Sequence, residues 1–263
     1  MLEKADKAKS TEHGSALEKA LLVLEQLALS TRPVGLAELV TRVDLPRQTI
    51  HRILQQLADA KLILRAQKKD RYVVGPALTQ LSVHALTSAC TQVPVRAILQ
   101  PLVDANGETC NVGVLDQDEV VYIERTEGLS PLRLQLQVGS RVPFHCTAIG
   151  KLLVANLHKN VRTRMLNVRP LQRFTEETLT DVDALEAEFA QIRSDGYSFN
   201  DEEYVDGLTA ISIAIHDESK KVVAGLAIHA PSTRMDREKA VSYLPGMRNV
   251  AEQVSRLWGL MDH

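Results

Sequence analysis

The chain has 263 residues, 44% of them hydrophobic, with a formal charge of −2. That is enough length for two domains with sizeable cores, and no apolar run approaches the roughly 18 residues of a membrane span. Three cysteines (Cys90, Cys110, Cys146) without CxxC spacing exclude a disulfide framework and fit a reducing cytoplasm.

Residues 1–14 have mixed charge and no apolar core, so they are expected to be a disordered lead-in rather than a signal peptide. Ser15 and Glu18 have capping-box spacing and open a helix whose apolar face is expected at Leu17, Ala20, Leu21, Leu24, Leu27 and Ala28. Residues 33–40 suggest a short second helix, and 41–45 a tight connection. A third helix runs from Pro46 to Ala60, with Ile50, Ile53, Leu54 and Leu57 at i, i+3, i+4, i+7 spacing on one buried stripe. Arg47, Gln48, Thr49, His51 and Arg52 fall outside that stripe. They are donors and acceptors suited to base edges and phosphates, and two helices so joined form a helix-turn-helix. Strand candidates at 61–65 and 71–74 enclose a polar hairpin with Lys68 and Lys69 at its tip, a basic wing followed by Arg71.

Charge distribution agrees with this assignment. Residues 1–75 carry 13 Lys/Arg against 9 Asp/Glu, and residues 42–71 carry 8 against 3; the remainder of the chain is acidic, 18 against 24. The basic excess sits where a DNA backbone would lie. It is modest, so two or more copies on one site make better sense than one.

Gly75-Pro76 closes the wing. A helix is expected from about Ala77 to Cys90, then one from Val93 to Asn106 ended by Asn106-Gly107. Strands follow at 109–115, 120–125 and 132–138, helices at 148–157, 161–168 and 181–195, strands at 197–200, 208–216 and 222–229, and a terminal helix at 236–260 with a possible break at Pro245-Gly246. Hairpins outnumber βαβ units, which implies a mainly antiparallel sheet flanked by helices, an α+β fold. The expected division is 1–14 lead-in, 15–75 winged helix-turn-helix, 76–90 linker helix and 91–263 ligand-binding domain.

Three blocks in this order resemble the IclR family of bacterial transcriptional regulators: Pro46–Leu54 with Leu57 and Lys61-Leu62-Ile63, then Gly139–Lys151, then Gly196–Leu208. The resemblance covers roughly Ser15 to Leu260. It implies a GAF-like effector domain, a homodimer or dimer of dimers on double-stranded operator DNA, and DNA affinity set by a small metabolite, an organic acid that is aromatic in some members. Ala210 stands where the family often has cysteine. Asn200 lies near a common acidic position, and Ala227 and His229 replace small hydroxyl residues of some members.

A carboxylate effector needs donors, and the helix starting at Thr147-Ala148-Ile149-Gly150 supplies backbone amides and a favourable dipole. Ala148 and Ile149 are therefore the expected anion-holding residues. Leu134, Phe144, Cys146, Ala210, Ser212 and Ala227 are expected along the ligand body, with Asn200 and His229 setting its orientation. No metal or cofactor is expected, because the eight histidines form no HxxxH or HExxH pair. Two rivals remain. One is a cysteine-dependent enzyme using Cys146, disfavoured because His145 and Cys146 are adjacent on an extended segment and point apart. The other is a sequence-indifferent DNA binder.

Overall fold

In the computed structural model, residues 15–30, 32–66, 70–86, 89–128 and 136–259 are described. The chain divides into two compact units, 1–84 and 85–263. The lead-in, the wing tip with Lys68 and Lys69, and Leu134 lie outside the described residues.

The first unit contains α1 (Ala16–Ala28), β1 (Val34–Gly35), α2 (Leu36–Arg42), α3 (Arg47–Asp59), β2 (Ile63–Arg65) and β3 (Arg71–Val74). Both halves of the Ser15/Glu18 capping box form. The buried stripe of α1 differs from the expected one: Val23 and Leu27 are buried, whereas Leu17 is 68% and Leu21 53% exposed. The apolar face of this helix is broad, running from Val23 and Leu27 round to Leu17 and Leu21, so spacing alone does not say which part of it turns inward. Residues Val34 and Gly35, expected to be helical, instead pair with Tyr72 and Arg71, giving an antiparallel sheet in the order β1-β3-β2. Ile50, Ile53, Leu54 and Leu57 join Val23, Leu27, Leu39 and Ile63 in one core.

The helix expected to reach Cys90 is α4 (Pro76–Leu86), which buries no side chain; Ala89 and Cys90 belong to α5 (Ala89–Asn106). The second unit is built on a fully antiparallel six-stranded sheet, β6-β5-β4-β9-β8-β7. Its strands are β4 (Thr109–Asp116), β5 (Glu119–Thr126), β6 (Arg141–Pro143), β7 (Ser198–Asp201), β8 (Leu208–His216) and β9 (Val222–Pro231). The strand expected at 132–138 has no counterpart in its described part, 136–138, and among the described residues the strand beyond β5 is the short β6.

One sheet face packs on α5 and α10 (Leu244–Leu257) through Cys110, Val112, Ile211, Ile213, Leu226 and Ile228. The other carries α6 (Ala148–Ala155), backed by α7 (Lys159–Asn167) and α8 (Val182–Asp195). All eight residues of α6 are buried, as expected of a helix wedged between a sheet and two other helices. The terminal helix breaks at Tyr243, between α9 (Arg237–Ser242) and α10, and Pro245 lies in the first turn of α10, where its missing N–H costs no bond.

Candidate functional sites: the α3 face and the sheet beneath α6

On α3 the apolar stripe faces inward, and Arg47, Gln48, His51, Arg52, Gln55 and Gln56 are exposed, with Thr49 partly so. Arg71 does not join them. Its Nη1 lies 2.9 Å from Glu38 Oε1 and donates to Pro33 O at 2.7 Å. Glu38 also pairs with Arg32 and Arg42, and these cations hold its carboxyl below the usual range. Arg71 thus fastens β3 to α2, so its guanidinium is already engaged with Glu38 and Pro33 on the surface where a DNA contact was expected. Its spacing in the sequence gave no sign of this long-range acidic partner.

The second site lies on the α6 side of the large sheet. Gly113 of β4 and Gly225 of β9 are registered neighbours, and Ile149 of α6 sits on them. A Cβ at Gly225 would stand 2.9 Å from Ile149 Cγ2 and 3.3 Å from Ser212 Oγ. Two missing side chains let the start of α6 approach the strands closely. Beside this row run two others on the same face: Ser198–Ser212–Ala227–Asn111–Arg125, and Asn200–Ala210–His229–Thr109. The structure therefore brings Ile149, Asn200, Ala210, Ser212, Ala227 and His229 onto one surface. Asn111 and Arg125 belong to it as well, although neither stood out in the sequence.

The start of α6 is buried but not capped by its own N-cap residue. The Thr147 hydroxyl donates to Pro143 O at 2.6 Å instead of accepting from the first turn. Asn200 Nδ2 donates to Cys146 O, fixing the approach to the helix; Asn200 is a brace here rather than a free orienting group. Phe144 faces the α7–α8 side and lines a cleft of about 350 Å³ with His145, Met165, Arg169 and Phe174, so it is removed from the other expected ligand contacts.

Burial pushes the Cys146 thiol up to about 12, with Glu203 adding to it. A thiol protonated at neutral pH is a poor nucleophile. His145 turns the other way, its Nε2 2.9 Å from Gln172 O, so the two residues form no catalytic pair. His229 makes an edge contact with Tyr122, ring centroids 6.1 Å apart. Burial, with the Arg125 charge adding to it, holds its imidazole down to about 3, which keeps it neutral. Among the described residues, no three His, Cys, Asp or Glu side chains are placed to hold a metal ion, and no helix is long and apolar enough to cross a membrane.

The IclR helix-turn-helix domain matches residues 16–65, and the C-terminal domain of the bacterial transcriptional regulator IclR matches residues 83–256. The chain belongs to the IclR family of bacterial transcriptional regulators. A relative from Cupriavidus necator, named probable transcriptional regulator SauR, is 37% identical over 93% of this chain and 97% of its own length. The crystal structure of the Thermotoga maritima IclR superposes with a TM-score of 0.60 at 25% identity, covering 94% of this chain and all of that one. The inducer-binding domain of an Acinetobacter PobR double mutant, in complex with 3-hydroxybenzoic acid, superposes with a TM-score of 0.56 at 25% identity, over 61% of this chain and 94% of that domain. In the IclR frame, the α3 surface is that of the DNA-binding domain, and the sheet beneath α6 lies in the C-terminal domain.

Proposed function

We propose that this IclR-family regulator binds operator DNA through α3 and its wing, and that a small organic acid, held beneath α6, changes that affinity. The observation that carries the effector half is the buried, side-chain-uncapped start of α6 over a polar sheet face. First-turn amides are orphan donors that need an acceptor, and an anion suits them. Ala148 and Ile149 are the amides assigned to it. The PobR domain, which shares this fold and takes an aromatic acid, supports the assignment. A catabolic operon fits such control, and the protein would work in the cytoplasm as a homodimer or dimer of dimers. The modest basic charge of one copy and the exposed leucines of α1 (Leu17, Leu21, Leu22) favour self-association.

The DNA half has a direct test. Gln48→Ala and Arg52→Ala are each expected to cost about 1–3 kcal/mol of binding and to relax base choice. Replacing Lys68 and Lys69 is expected to weaken all sequences alike and flatten the salt dependence. Fluorescence anisotropy on duplexes selected from genomic fragments, against random duplexes, reads both. If both sets of variants lost affinity uniformly, α3 would not be the reader of sequence.

A further inference from the structure

Three arginines converge on one carboxylate in the first unit. Glu38 stands in the first turn of α2. Arg32 Nη2 lies 2.8 Å from its Oε2, Arg71 Nη1 2.9 Å from its Oε1, and Arg42 Nη2 3.6 Å from its Oε2. Two of these cations are fixed a second time: Arg42 Nη1 donates to Ser30 Oγ and Arg71 Nη1 to Pro33 O, each at 2.7 Å. Gly35 is the meeting point, since a Cβ there would lie 3.9 Å from Arg71 Cγ and from Asp70 O and 4.0 Å from Glu38 Oε1. The Asp70 carboxylate is itself held by Arg65. Three cations against one carboxylate leave two positive charges unbalanced. Each guanidinium has five N–H groups, so donors remain after Glu38, Ser30 and Pro33 are served.

Neither net charge nor stability accounts for Glu38. An acid on a basic DNA-binding surface repels phosphate when it acts alone. Exposed ion pairs contribute little to folding, and the Arg32 side chain is 61% exposed, with Arg42, Arg71 and Glu38 partly so. What the carboxylate achieves is order. A lone arginine samples many rotamers, and one fixed before its partner arrives loses less freedom on binding. The place also suits a phosphate. In a helix-turn-helix the first helix crosses the DNA backbone while the second enters the groove. α2 is that first helix, packed on α3, and Arg71 opens β3 at the foot of the wing. The cluster thus joins two elements that approach the backbone, and guanidinium forks match phosphate oxygens.

We infer that Glu38 is a positioning residue for DNA binding: it orders Arg32 and Arg42, with Arg71 as the fixed third member, into a cradle for a backbone phosphate. This rests on the DNA-binding role proposed for α3, and it concerns grip on the backbone rather than the choice of bases.

The test follows fluorescence anisotropy of the full chain on a random-sequence duplex and on a duplex selected from genomic fragments, over a salt series. Arg32→Ala and Arg42→Ala are each expected to weaken both duplexes about tenfold and to lower the slope of log affinity against log salt by about 0.9. Glu38→Gln adds a positive charge, yet it is expected to bind both duplexes about fivefold more weakly than the wild type. Glu38→Asp keeps the charge but draws it back by one methylene; it should also lose affinity, and it takes over the test if circular dichroism shows Glu38→Gln unfolded. In the Arg32→Ala/Arg42→Ala background Glu38→Gln should cost nothing further, because it acts through those side chains. Tighter binding by Glu38→Gln, or unchanged binding by Glu38→Asp, would show that the carboxylate acts through charge alone and would overturn the inference. So would an undiminished Glu38→Gln loss in the double-alanine background, or arginine variants that bind as the wild type does. Gln48→Ala separates this from the role of α3. If it leaves base choice unchanged while the Glu38 and arginine variants behave as expected, α3 is not the reader and the cradle stands. If the wild type binds neither duplex at low salt, both readings fail together.

Discussion

Replacing Lys151 with methionine is expected to lower the unfolding free energy by about 3–5 kcal/mol, the range for a buried ion pair deprived of one partner. Lys151 lies on α6 and is 1% exposed. Its ammonium donates to Glu188 Oε1 at 3.0 Å, to Phe199 O at 2.9 Å and to Glu203 Oε1, which matches its three hydrogens. One side chain thus ties α6 to α8, to β7 and to the turn after β7. Methionine preserves the volume but strands the Glu203 carboxylate in the interior. Burial already raises that carboxyl above its ordinary range, with Lys151 pulling it back. Without the lysine it takes up a proton more readily. A folded-state pKa above the unfolded value gives stability that is present at low pH and lost as pH rises, so the defect should shrink as pH falls toward the ordinary glutamate range. Urea unfolding should show a lower midpoint with an unchanged slope. Lys151→Met combined with Glu203→Gln should cost less than Lys151→Met alone. A single variant as stable as the wild type would mean that this cluster does not hold α6.

Acidification should reveal His229 as the second large effect. Its imidazole is held down to about 3 by burial and by Arg125, whereas a free histidine titrates near 6.5. Between those values the unfolded chain binds a proton that the folded chain refuses, so stability falls with pH by about 1.4 kcal/mol per unit from this one residue. The loss begins below about 6.5 and is absent above it. His145, lowered by its own burial, acts in the same direction. The contribution of His229 is isolated by comparing the wild type with His229→Gln, since the carboxylates are common to both. Between about pH 6 and 4.5 the wild type should lose about 2 kcal/mol more than the variant. Parallel curves would show that the ring takes up its proton within the fold.

The features legible in the sequence were those with a short-range period. Ile50, Ile53, Leu54 and Leu57 recur at helical spacing, so the sequence alone distinguishes the two faces of α3. The strand at Leu208–His216 appeared with its full bounds. The α6 start is legible because Thr147-Ala148-Ile149-Gly150 opens the helical stretch, and the Gly139–Lys151 block carries the family resemblance. The missed features depend on partners distant in the chain. Arg125 was invisible because a bulge resets the alternation that would otherwise send it toward α5. Lys151 reads as an exposed helical lysine until α8 and the turn holding Glu203 close over it. Asn111 is one polar residue in an apolar strand, and the Arg71–Glu38 pair joins residues 33 positions apart. Phe144 and Cys146 are two apart yet face different surroundings, since the segment curls from β6 into α6.

The proposed effector control of DNA binding requires that the DNA surface of α3 and the site beneath α6 be linked. The most direct measurement takes operator affinity without effector and at saturation, and effector affinity on the free and the DNA-bound protein. Linkage requires both to change by the same factor, expected at about 5- to 150-fold. Operator affinity that stays the same while the acid demonstrably occupies the α6 site would contradict the claim.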